Sequence, residues 1–127
     1  MKISTLLALA PVLLGMSLTA EAACVYPQAP QALPNGAKAT KDEMLAAQAS
    51  VKDYVSNVQN VYLPCLQKEK EEAIAALDNM DPEYATKKAS IDGIHAKKHN
   101  AALDELQAFV DRWNVEKKAF GDKAAGK

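Results

Sequence analysis

The chain has 127 residues, with 15 Lys and Arg against 16 Asp and Glu and a net charge of −1. That length supports one domain, and so balanced a charge lacks the basic patch or stripe that nucleic acid requires. The glycines after residue 22 (Gly36, Gly93, Gly121 and Gly126) are too scattered for a phosphate-cradling loop.

Met1-Lys2-Ile3 leads into an apolar run from Leu6 to Leu18 that ends in Ala20-Glu21-Ala22. A charged start, a short apolar stretch and a small-x-small end read as a cleavable export signal over residues 1–22. The run falls short of the ~20 apolar residues a bilayer span needs, and no later stretch reaches that length, so the mature chain is expected to carry no stable membrane span. Lipid attachment at Cys24 is a rival reading. Glu21 opposes it, because it stands where such signals carry a Leu-like residue. The product, Ala23 to Lys127, is expected to be periplasmic or secreted. Cys24 and Cys65 are then its two cysteines, and in an oxidising compartment their single intramolecular pairing is a disulfide.

Residues 23–39 contain Pro27, Pro30 and Pro34, which fix φ and hold their neighbours extended, so this stretch reads as a Pro-rich arm ending in a turn at Pro34-Asn35-Gly36. Thr40-Lys41-Asp42-Glu43 is a capping box. From there to Leu77, Met44, Ala47, Val51, Tyr54, Val55, Val58, Val61, Tyr62, Cys65 and Leu66 recur at steps of three and four, the spacing of a helix face. Pro64 inside this stripe predicts a bend near Val61 and Tyr62. Asp78-Asn79-Met80-Asp81 interrupts the pattern, and Asp81-Pro82-Glu83 then signals a second helix from Pro82 to about Ala119. Residues 121–127 read as a frayed tail.

The predicted fold is all-α: a long antiparallel two-helix hairpin over residues 40–120 with coiled-coil-like packing, its extended N-terminal arm held by one disulfide. Two equal helices joined by four residues favour that hairpin. The arm spans ~50 Å at the polyproline rise, enough to reach Cys65, which lies ~38 Å of helix beyond Thr40. The bridge closes a loop of 42 residues counted from Cys24 through Cys65, a constraint of about 4 kcal/mol on the unfolded chain.

Cys24, Pro34-Asn35-Gly36, Glu43-Met44, Tyr54 and Tyr62-Leu63-Pro64-Cys65-Leu66 together resemble a group of small exported helical proteins of Gram-negative bacteria to which no activity is assigned. The resemblance covers the arm and the first helix. It implies export and the bridge, and it brings no catalytic residues.

Asp92-Gly93-Ile94-His95-Ala96-Lys97-Lys98-His99 holds the strongest chemical signal. His95 and His99 share a helical face with Asp92, and imidazole and carboxylate suit zinc or copper. Glu69 from the first helix is a candidate further ligand. Lys97 and Lys98 oppose a cation, and a solvated face with two ordinary histidines accounts for the same pattern. The run Lys68-Glu69-Lys70-Glu71-Glu72 reads as a wet helix face. No serine sits in a nucleophile-elbow turn. Phe109, Trp113 and Phe120 form either core or an interaction surface.

The sequence therefore predicts a non-enzymatic structural, interaction or chaperone-like module without a cofactor, binding a protein partner or a second copy of itself. The alternative is a zinc- or copper-binding protein using Asp92, His95 and His99.

Overall fold

The computed structural model describes residues 23–126; the expected export signal at 1–22 lies outside them. The described residues are helical with no strand. Helix α1 spans Lys41–Asn57. A π-helical turn follows at Val58–Tyr62, then α2 at Leu63–Ala75 and α3 at Tyr84–Ala124.

Helix α1 starts where its capping residues dictate. Glu43 N–H donates to Thr40 Oγ1 at 3.2 Å, and Thr40 N–H donates to Glu43 Oε2 at 2.7 Å, so two otherwise unpaired donors are satisfied reciprocally. Pro64 acts through the π turn. In a regular α-helix its ring would press on the carbonyl of Asn60, four residues back, and its missing N–H would leave that carbonyl unpaired. The chain widens instead, and Leu63 N–H reaches Val58 C=O, five residues back. Asn57, Val58, Tyr62 and Leu63 all keep right-handed helical angles. The expected bend at Val61 and Tyr62 is thus one wide turn.

Three boundaries differ from the sequence expectation. Helix α2 ends at Ala75, and α3 begins at Tyr84 rather than Pro82. Acidic side chains hold the connection in turns of its own: Asp78 Oδ1 accepts from Met80 N–H at 2.9 Å, and Asp81 Oδ1 accepts from Glu83 N–H at 2.8 Å. Such local bonds compete with helix. At the other end α3 continues through Gly121 to Ala124, where a frayed tail was expected. A Lys118–Asp122 ion pair at 2.7 Å, four residues apart, supports its last turns.

The pairing of α3 with the first helical stretch runs in opposite chain order. Met44 shares a depression with Trp113, Tyr54 packs edge-on against Phe109 with centroids 4.9 Å apart, and Glu69 meets Lys98 at 2.7 Å. The stretch 23–35 carries no helix or strand and lies against both. Cys24 is bonded to Cys65. Tyr26 stacks edge-on against Tyr62 at 5.0 Å and shares a 2.7 Å hydroxyl–hydroxyl hydrogen bond with Tyr54. Gly36 N–H donates to Glu116 Oε2 at 2.7 Å. The main apolar cluster joins Ala39, Met44, Val51, Tyr54, Val58, Leu106, Phe109 and Trp113.

Candidate functional site

Helix α3 turns Asp92, His95 and His99 toward α2, where they line one depression of about 190 Å³ with Leu66, Gln67, Lys70 and Ala96. The spacing of three and four residues is what places them on one wall. Their environments differ. His95 is 8% exposed and reaches into the packing between the helices, whereas His99 is exposed and Asp92 is half-buried.

The two nitrogens of His95 face different surroundings. Nε2 stands 3.7 Å from Glu69 Oε1, beyond a direct hydrogen bond. Nδ1 is fully buried and has no hydrogen-bond partner. An unsatisfied buried nitrogen is costly, which makes it the one chemically unexplained atom of this region.

Glu69, the further metal ligand the sequence suggested, is engaged with other partners. Its carboxylate accepts from Lys98 Nζ at 2.7 Å, with the backbone N–H of Cys24 nearby. These donors, Lys98 foremost, hold its pKa below the ordinary glutamate value. Asp92 is likewise occupied: Lys88 Nζ lies 2.9 Å from its Oδ2 and lowers its pKa. Among the described residues no group of three or more His, Cys, Asp or Glu side chains stands ready to hold a metal ion. Lys98, one of the two lysines expected to repel a cation, is neutralised by Glu69.

The aromatic candidates divide. Phe109 is 2% exposed and Trp113 5%, so both belong to the core. The edge of Trp113 and the half-buried Phe120 line a second depression of about 200 Å³ with Lys41, Met44, Leu45, Gln48 and Lys117. Leu45 is 53% exposed there. Neither this depression nor the His95 depression has a wall from residues 23–39. A third depression, about 490 Å³, lies where Pro30, Gln31 and Leu33 meet Phe109, Arg112 and Glu116.

Tyr26 is the residue that sequence reasoning missed. It sits among prolines with no periodic context, so no pattern marks it as core. Burial and the Tyr54 hydrogen bond push its hydroxyl pKa upward, and the ring links Tyr62 to Tyr54 and Phe109 in one aromatic chain. Comparison with family models, with curated proteins and with solved structures returns no match.

Proposed function

We propose that the protein is a non-enzymatic binding module of the periplasm or the extracellular space, and that it holds apolar segments of other proteins, flanked by acidic residues, against α1 and α3. The observation that carries this reading is the depression of Met44, Leu45, Trp113 and Phe120 rimmed by Lys41 and Lys117. Its floor is apolar and its edge cationic, which suits an apolar side chain with a carboxylate beside it. Lys117 Nζ already lies 5.9 Å from the Trp113 ring centroid. The Cys24–Cys65 bond is compatible with export. No helix among the described residues is long and apolar enough to cross a membrane.

Trp113 is the chain's single tryptophan, so its emission reports directly on the depression. Titrating the processed, oxidised protein with a short leucine-rich peptide flanked by Asp and Glu is expected to shift that emission to the blue. A Lys-flanked peptide of the same core should have no effect, and Leu45→Lys should abolish the response. Equal response to both peptides, or none to either, sinks the reading. So does a concentration-dependent dimer that Leu45→Lys dissociates, since the face would then belong to a second copy.

A further inference from the structure

We propose that His95, through Nδ1, and His99 bind a divalent transition-metal ion in the depression between α2 and α3, with Cu(II) the tightest of the series. Three observations converge on this site, independently of the binding-module reading. The His95 side chain is 10% exposed, and its buried Nδ1 has no partner in the protein. His99, four residues on, lines the same depression, and an i, i+4 histidine pair on one helix face presents two imidazoles to one ion. Glu69 lies on the Nε2 edge of His95 at 3.7 Å. Nε2 faces that carboxylate, so Nδ1 is the ring nitrogen left to coordinate an ion.

The charges nearby define what the site is. Lys98 is balanced by Glu69 and Lys88 by Asp92, so these four cancel. Lys70 remains, lining the depression, and it weakens a cation site without blocking it. With Asp92 held by Lys88, two imidazoles are the protein's ligands and water completes the shell. Such a site favours the metals that bind nitrogen most strongly, and Cu(II) stands highest among the divalent ions.

The test is titration of the metal-free, processed, oxidised protein with Cu(II) alone, followed by calorimetry and by electron paramagnetic resonance. The expected result is one equivalent bound, with hyperfine structure from two imidazole nitrogens. His99→Ala alters only an exposed residue, so it should fold normally, weaken binding at least tenfold and remove one nitrogen from the spectrum. His95→Ala should do the same where it folds. Lys70→Gln should tighten binding a few-fold. Absence of stoichiometric binding overturns the proposal, as does a Cu(II) spectrum unchanged by His99→Ala. Weaker Cu(II) binding in Lys70→Gln also overturns it, because the lysine would then be serving a bound anion and not opposing a metal.

Discussion

A methyl group at Gly36 would sit 1.8 Å from the carbonyl oxygen of Glu116 and 2.9 Å from the backbone nitrogen of Phe120. The neighbour is the backbone of a 41-residue helix, which cannot step aside as a side-chain tip would. Gly36→Ala is therefore expected to destabilise the protein at the upper end of the ~1–3 kcal/mol range for overpacking, measured by urea unfolding. Glu116→Gln, which keeps an acceptor for Gly36 N–H, should cost far less. If Gly36→Ala unfolds like the parent, the N-terminal stretch does not sit on α3 as described. Charge acts at the same scale. Glu69, Asp81 and Asp92 all have folded pKa values lowered, each first by a lysine hydrogen bond. A lowered folded pKa gives stability that is present above the unfolded value, near 4 for carboxylates, and lost as pH falls through the folded one. Thermal midpoints should therefore drop below about pH 4, and Glu69→Gln should flatten that dependence without abolishing it, since Asp81 and Asp92 still titrate. A profile unchanged by Glu69→Gln would remove Glu69 from the account.

At the scale of elements, the π turn sets the phase of the first helical stretch. Val58 is fully buried and Leu66 is 3% exposed, yet eight residues separate them, about 80° around an α-helix at 3.6 residues per turn. The π turn absorbs one residue, so the two fall about 20° apart, like a pair seven residues apart. Deleting Asn60, an exposed residue of the turn, in a Pro64→Ala background should give a continuous α-helix with Leu66 still facing the core. Its thermal midpoint should stay close to that of Pro64→Ala alone. Inserting an alanine after Asn60 should instead turn Leu66 away by about 100° and abolish cooperative unfolding. Equal tolerance of deletion and insertion would mean that phase is not what the π turn preserves. Here the sequence was readable in part. Steps of three and four residues showed helix, and Thr40 with Glu43 marked its start, because both are local signals. The π turn was not legible, since Pro64 announces a disturbance without saying whether the helix bends, breaks or widens. The α3 start was misplaced because Asp78 and Asp81 bond to nearby backbone, a competition that spacing does not reveal. The shared wall of Asp92, His95 and His99 follows from spacing. The burial of His95 and its Glu69 neighbour depend on how α2 and α3 align, which a one-dimensional pattern leaves open.

For the whole molecule the question is what holds residues 23–35 against the helices. Among the described residues the buried apolar set is small, ten from Ala39 to Trp113, as expected where two helical layers meet and few side chains are covered on every side. The covalent tie closes a loop whose ends are 41 positions apart, and the chain-entropy model credits such a loop with about 4 kcal/mol. The tie also acts beyond its own bond. It places Cys24 N–H near Glu69 and Tyr26 between Tyr62 and Tyr54, so reduction is expected to loosen these contacts along with the loop. At ~4–8 °C per kcal/mol for a domain of this size, Cys24→Ser with Cys65→Ser should lower the thermal midpoint by at least ~15 °C. Tyr26→Ala in the oxidised protein separates the two contributions. If the bond works by restricting the unfolded chain, Tyr26→Ala retains most of the oxidised stability. If it works by delivering Tyr26 to the core, Tyr26→Ala loses nearly as much as the serine pair, and the two changes together cost little more than either alone. The first outcome is expected, because Tyr26 is only partly buried whereas the loop restriction acts on every unfolded conformation. Midpoints within a few degrees of the parent for both variants would show that neither the bond nor Tyr26 carries this part of the fold.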